Sequence, residues 1–414
     1  MDRIQVPRGG VTPPLYMLGR VEIREVQVDE LPAAWELGRL AFGSGPRPVS
    51  PPEPAAVPGS LRYGAFDADG RLLGSAIDRH QEQWWSGRRV ASADVAGVAV
   101  LPEARGRGVA RALLVELLRG ARERGAAVSA LYPTVAAPYR SCGWEATGVL
   151  RTVELATAAL PRHRPSPDLS VRPGEPADLP AVAQLYQQVA RYRCGMLTRD
   201  GALFDRPADA LPEWLDGLTL VEDGGRLVGY AAWQRGSGYD ASGVLTVHDL
   251  LATTGAAARE LVGVLASWQS VAPTLRLRLL AHDAVAAHLP LERAREYRQQ
   301  VWMHRPVDVV RAVESRGWPP YIRGTVDFAV DDPHAPWNTG AWRLEVADGA
   351  AELRRSTEEP ALHLHVRGFG LLYSGVAQAV TVAGAGLLRC AAGQHPAALD
   401  LLGAGPAAQL LNYF

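Results

Sequence analysis

The chain has 414 residues, of which 47% are hydrophobic and 21% charged, and its net charge is −1. That length exceeds what one core usually encloses, so two or three domains are expected. The near-neutral balance excludes a protein drawn to nucleic acid by a global basic field, and the composition is that of an ordinary soluble globular protein. No run of about 18 or more apolar residues occurs, and the first twenty residues lack the apolar core of a secretory signal. Cys142, Cys194 and Cys390 are odd in number and far apart. They form neither a zinc spacing nor a disulfide framework, so no metal and a reducing cytoplasm are expected. All 43 basic residues are arginine. This removes a Schiff-base lysine and the lysine of a nucleoside-triphosphate loop.

Residues 1–20 carry Pro7, Gly9, Gly10, Pro13 and Pro14 and read as an irregular arm. A strand is expected at 21–28 and a helix at 31–42, with Leu31, Trp35 and Leu40 on its buried face. The stretch 43–60 holds six prolines, and its length suits a binding loop or lid. Strands at 61–66 and 71–78 flank the turn Asp67-Ala-Asp-Gly70. The run 94–101 is a strand of small and β-branched residues, ended by Pro102. After the turn Arg105-Gly-Arg-Gly-Val-Ala110 comes a helix with Ala110, Leu113, Leu114, Leu117, Leu118 and Ala121 on one face. Gly125 is placed to end it. Another strand follows at 128–132, and Pro138 and Gly143 set Tyr139 in a turn.

Three prolines in 161–167 read as a link. Beyond it the order of elements repeats: a strand at 169–172, a helix opened by Asp178 and running to Arg191, and a hairpin of 219–222 and 227–234 around Asp223-Gly-Gly-Arg226. A strand at 244–251 and a helix at 256–268 complete the repeat. From about residue 319, strands are expected at 324–330, 341–346 and 361–366, with helices at 370–377 and 397–402. The chain closes on Leu410-Leu-Asn-Tyr-Phe414.

The strand, glycine turn and helix at 94–121 form an anion site for two physical reasons. Free N–H groups and the helix dipole favour negative charge at the helix start. Gly106 and Gly108 let the backbone approach an anion closely, and Arg105 and Arg107 add charge-assisted contacts. The spacing departs from G-x-G-x-x-G, which argues against a dinucleotide fold. The equivalent place in the repeat, Val247-His-Asp-Leu-Leu-Ala-Thr-Thr-Gly255, has no arginine and no paired glycines, and reads as scaffold.

Arg105-x-x-Gly108-x-Ala110 matches the Q/R-x-x-G-x-G/A signature of the GNAT acetyltransferases, in which this turn holds the coenzyme A pyrophosphate. Tyr139-x-x-x-Gly143-Trp144, the run from Trp302 to Trp318, Leu371-Leu-Tyr-Ser-Gly375 and the final Phe414 resemble the enhanced-intracellular-survival (Eis) type. The resemblance spans nearly the whole chain. It implies an α/β (α+β) fold of tandem GNAT domains, catalytic at 1–160 and degenerate at 161–310. A sterol-carrier-protein-like domain follows at 311–414. It also implies a homo-oligomer, a hexamer, with acetyl-CoA as cosubstrate and an amine of a small molecule as acceptor, and neither nucleic acid nor membrane as partner. The donor-binding residues expected are Val98, Ala99 and Val100 on the strand; Arg105, Gly106, Arg107, Gly108, Val109 and Ala110 on the turn; and Thr134 beyond the next strand. By the same resemblance Tyr139 protonates the departing thiolate, and the carboxylate of Phe414 is the base.

Each reading has a blander rival. Tyr139 also reads as a packing tyrosine, and Phe414 as a frayed end. His248-Asp249 lacks a partner nucleophile and reads as strand packing. His363 and His365 alternate on one strand face without the cysteines or carboxylates of a metal site. Trp84-Trp85 lines a pocket or caps a hairpin. Family members that acetylate aminoglycosides carry acids where this chain has Tyr413 and Phe42-Gly-Ser44, and a bulky aromatic where it has Gly97. The acceptor classes are therefore an aminoglycoside-type amine and a smaller or more apolar one. The alternative to an enzyme is a catalytically silent protein that binds coenzyme A and an apolar ligand.

Overall fold

The computed structural model describes residues 21–43, 57–205 and 211–414. The arm expected at 1–20 and most of the proline-rich stretch, 44–56, lie outside the described residues. The chain divides into two compact units. One comprises Met1–Ala56, Arg62–Ile77 and Gly97–Leu117; the other comprises Val57–Leu61, Asp78–Ala96 and Leu118–Phe414.

The first six elements are β1 (Glu22–Glu25), α1 (Leu31–Phe42), β2 (Ser60–Phe66), β3 (Leu72–Trp85), β4 (Arg88–Val100) and α2 (Val109–Glu123). In the first unit β1 pairs antiparallel with β2, from Glu22↔Phe66 to Glu25↔Tyr63. Its core gathers Val26, Ala34, Leu37, Phe66, Leu72 and Ala99. The buried face of α1 is therefore Ala34 and Leu37, with Leu31 packed against it. Leu40 is 55% exposed, contrary to the expected face, because it lies about 90° round the helix from the Ala34–Leu37 stripe. Gly43 ends the helix in the left-handed region at φ 67°, where glycine alone is unstrained.

The second unit adds β5 (Val128–Leu131), α3 (Ala136–Ser141), β6 (Glu145–Ala156), β7 (Leu169–Pro173), α4 (Leu179–Ala190), β8 (Cys194–Leu197), β9 (Gly217–Asp223), β10 (Arg226–Arg235), β11 (Val244–Ala252), α5 (Gly255–Ser267), β12 (Thr274–Leu279) and β13 (Arg295–Pro306). Its strands run in the order β4-β5-β13-β6-β12-β11-β10-β9-β7. Two parallel pairs stand out, each bridged by a helix: β4 with β5 and β11 with β12. This is the repeat expected from the sequence. A right-handed crossover is what such a strand–helix–strand unit requires. One feature has no trace in the sequence: β13 enters between β5 and β6 and pairs antiparallel with both.

The remaining elements are α6 (Val309–Ser315), β14 (Gly324–Asp331), β15 (Gly340–Ala347), β16 (Ala350–Arg355), β17 (Leu362–His365), α7 (Val366–Tyr373), α8 (Ala379–Gly384) and β18 (Leu388–Cys390). They form a second sheet ordered β16-β15-β14-β17-β18, whose buried face meets Phe369, Leu372 and Tyr373 of α7 in one core. Helix α7 starts earlier than the expected 370 because His365 caps it, its Nδ1 accepting the Arg367 N–H at 3.1 Å. It stops before Gly375, at φ 67°. The segment 397–402 lies within a 3-10 helix, Pro396–Gly403, rather than an α-helix. Arg305 and Asp332 form an ion pair, both side chains fully buried, at 2.5 Å.

Candidate active site

The turn that the sequence singled out sits between two buried anchors. Ala104 and Val109 are 2% and 1% exposed, whereas residues 105–108 between them are exposed. Gly106 and Gly108 adopt φ 74° and 85°. Those left-handed values turn the backbone out of β4 and into α2 without a Cβ clash. Ala112 gives its N–H to the Gly108 carbonyl at 3.0 Å. The Arg105 N–H bonds the Pro102 carbonyl at 3.3 Å, and a helix start offers its first N–H groups no carbonyl one turn back. Arg105 donates its Nε to the Val100 carbonyl at 3.3 Å, which orients the guanidinium while leaving its outer N–H groups to solvent.

Val98, Ala99 and Val100 end β4 beside this turn. Leu101 holds that end by donating its N–H to Leu73 at 2.9 Å. Gly97, just before them, has φ 57°, and a Cβ there would meet Ile77 Cδ1 at 3.0 Å. The pairing of β4 with β5 stops at Val95↔Leu131, so the last residues of β4 keep backbone groups that β5 does not use.

The corresponding helix of the repeat starts differently. Thr254 caps α5, its Oγ1 accepting the Ala257 N–H at 3.1 Å. One N–H at the start of α5 is thus satisfied by the protein itself.

In the second unit Tyr139 lies on α3, not in an open turn. The Val135 backbone is extended and the next six residues close one short helix, after which Gly143 takes φ 96°. The half-buried Tyr139 ring meets Trp144 edge-on, with centroids 6.4 Å apart. Trp144 is fixed in turn by its Nε1 donating to Ser129 Oγ at 3.2 Å. Burial pushes the Tyr139 phenol up to about 12, so it stays protonated across the whole working range. Thr134 is exposed just before α3. Phe414 packs on Tyr132 with ring centroids 5.3 Å apart, and Tyr413 meets the same ring at a tilt, with centroids 4.7 Å apart. The tail is docked, not frayed: Leu410 and Leu411 are 3% and 1% exposed.

An acetyltransferase (GNAT) domain family matches residues 22–147, and a second acetyltransferase (GNAT) domain family matches 195–311. A sterol carrier protein domain matches 309–409. The chain is a GNAT acetyltransferase, with two GNAT domains followed by a sterol carrier protein domain. An uncharacterized N-acetyltransferase of Streptomyces coelicolor is 28% identical, over 73% of this chain and 76% of its own length. The crystal structure of a GCN5-related N-acetyltransferase from Kribbella flavida is 27% identical and covers 95% of this chain and 98% of its own, with a TM-score of 0.79. Eis1 from Mycobacterium abscessus covers 95% of this chain and all of its own at 22% identity and a TM-score of 0.72, a likeness of fold.

Several residues of the acetyltransferase escaped the sequence reading. Tyr132 donates its hydroxyl to the Asn412 carbonyl at 2.7 Å. Asp94 on β4 is fully buried, and burial pushes its carboxyl up to about 7. A strand of alternating small residues gave no sign that this acid faces inward. Trp84 and Trp85 end β3 ahead of a tight turn at Ser86 and Gly87, which take φ 48° and 90°. Trp85 is core, against Tyr373 and His304. Asp249 is committed to Arg199 and Tyr230, and His248 meets Trp214 edge-on. Among the described residues no group of three or more His, Cys, Asp or Glu is arranged to hold a metal, and no helix is long and apolar enough to cross a membrane.

Proposed function

We propose that the enzyme transfers the acetyl group of acetyl-CoA directly to an amine of a small molecule. One observation carries this reading: α2 begins at an exposed, two-glycine turn rimmed by arginines, while its counterpart α5 is capped by its own threonine. Gly106, Gly108, Val109 and Ala110 offer N–H groups to the pyrophosphate, with Arg105 and Arg107 adding charge. Val98, Ala99 and Val100 offer theirs to the pantetheine arm and the thioester carbonyl, and Thr134 adds a hydroxyl. Acetyl-CoA supplies an activated thioester.

As the amine nitrogen bonds to the carbonyl carbon, the carbon–sulfur bond breaks. Tyr139 gives its proton to the leaving thiolate; burial keeps the phenol protonated at rest and also makes it a weaker acid. The Phe414 carboxylate draws the ammonium and receives its proton, directly or through water. An α-carboxylate, with an ordinary pKa of about 3.5, is a weak base, so its contribution is largely electrostatic. With Tyr413 in place of an acid, the acceptor pocket is less anionic, which favours a small or apolar amine over an aminoglycoside-type polycation. The domain division is 1–160, 161–310 and 311–414, and the working form is a homo-oligomer, a hexamer, in the cytoplasm, where Cys142, Cys194 and Cys390 stay as free thiols.

Thiol release from acetyl-CoA, run over a panel of amines beside Tyr139→Phe, tests the reading. Amine-dependent release that falls by ~10²-fold or more in the variant is expected. Coenzyme binding with no release for any amine would overturn it in favour of a silent binder.

A further inference from the structure

The last residues of the chain are tied one after another to the second GNAT repeat. Gln409 donates its N–H to the Cys194 carbonyl at 2.8 Å, and its Oε1 accepts the Ala281 N–H at 2.9 Å. Gly195 takes φ 90°, and a Cβ there would stand 3.0 Å from the Gln409 carbonyl oxygen. Both facts demand glycine where the tail lies down on β8. Leu411 then sinks into the core of the repeat with Tyr186, Met196 and Tyr230, and Arg278 donates to its carbonyl at 3.3 Å.

Asn412 is the one polar side chain among these final five residues apart from the tyrosine hydroxyl. Arg199 donates its Nε to Asn412 Oδ1 at 3.1 Å. That arginine is held from behind. Its two terminal nitrogens grip both oxygens of Asp249, Tyr230 donates to Asp249 Oδ2 at 3.1 Å, and the guanidinium lies 3.8 Å from the centroid of the Tyr186 ring. Arg199 also has φ 55°, a conformation a side-chain-bearing residue adopts only when its surroundings impose it. A repeat without a donor site has no use for this half-buried, doubly anchored fork in acetyl transfer of its own.

We propose that the degenerate repeat is kept as a clamp for the chain's end, with Arg199 and Asn412 as positioning residues that set where the Phe414 carboxylate stands. This rests on the reading that the carboxylate takes part in transfer. Two residues separate Asn412 from the terminus, so fixing Asn412 confines the carboxylate to within about 7 Å. Proximity of that kind is where misplacement by ~1 Å costs as much as 10²-fold in rate.

The test uses the full chain, acetyl-CoA and an amine that supports release. Asn412→Ala should lower kcat about tenfold or more with KM for acetyl-CoA unchanged. Asn412→Asp, which keeps the Oδ1 acceptor, should restore most of the rate. Deuterium uptake over 405–414 should rise in the alanine variant and not in the aspartate one. Removing Phe414 as well should slow Asn412→Ala no further than the deletion alone, because both act through one carboxylate. Unchanged turnover on deleting Phe414 would refute the carboxylate reading and with it the clamp's purpose. Slowed turnover on that deletion, with Asn412→Ala at the parent rate and uptake, would refute the clamp alone.

Discussion

Asp94→Asn offers a quantitative check on the electrostatics of β4. Asp94 is 0% exposed. Ser92 Oγ donates to its Oδ1, as does Gln83 Nε2 at 3.4 Å, while Oδ2 has no partner among the described residues. Burial raises the carboxyl from 3.8 to about 7; the Ser92 hydrogen bond and Arg124 oppose the rise, and Asp78 adds to it. The unfolded chain therefore releases this proton near pH ~4 and the folded chain only near pH 7. Between those values the folded state holds the extra proton, so stability falls as pH rises, and the full loss above pH 7 is on the order of 4 kcal/mol. About 2–3 kcal/mol of it develops between pH 5 and pH 8. Asparagine keeps the shape and the Oδ1 acceptor but cannot ionise. Urea unfolding of parent and variant at pH 5 and pH 8 reads the difference directly, with other titrating groups cancelling. The advantage of Asp94→Asn over the parent should grow by ~2–3 kcal/mol across that interval. An advantage independent of pH would mean that Asp94 ionises in the folded protein as it does in water.

Two further outcomes bear on the donor turn. Arg105→Glu removes a cation from the exposed rim of α2 and adds like charge against a pyrophosphate, so calorimetric affinity for coenzyme A should fall by ~10²-fold or more; unchanged affinity would refute the turn's assignment. Gly74→Val would set a Cβ 3.0 Å from both the Ala99 carbonyl oxygen and Val109 Cγ1 and 3.2 Å from Leu113 Cδ1. Overpacking of that kind costs ~1–3 kcal/mol and pushes the start of α2 off β4. Thermal stability and coenzyme A affinity should therefore fall together, and a variant that loses neither would show that the helix start is not held by this contact.

What the sequence disclosed was local. Arg105, Gly108 and Ala110 lie within one turn, so their spacing alone reports the backbone that brings them together. The apolar stripe of α2 and the Asp223-Gly-Gly-Arg226 hairpin are legible for the same reason. Side-chain fate was not. Leu40 kept the period of a buried helix face and is exposed, while Asp94, the first residue of the expected strand of small residues, is enclosed. Asn412 meets Arg199 and Tyr132 only because distant segments converge, and no periodicity encodes that. Tyr139 was expected from the family resemblance, in a turn set by Pro138 and Gly143, yet six residues there close into a helix.

The placement of β13 bears on how this protein can be made. β5 ends at Leu131 and β6 begins at Glu145, but the strand that joins them ends at Pro306. A ribosome that has just finished β6 must add roughly 150 more residues before that strand exists. At ~5–20 residues per second, the gap stays open for about 8–30 s. Throughout that time two strand edges face the cell unpaired, each a template for the wrong chain. The first repeat is thus a poor candidate for expression as a fragment, and its nascent form is a natural client for chaperones.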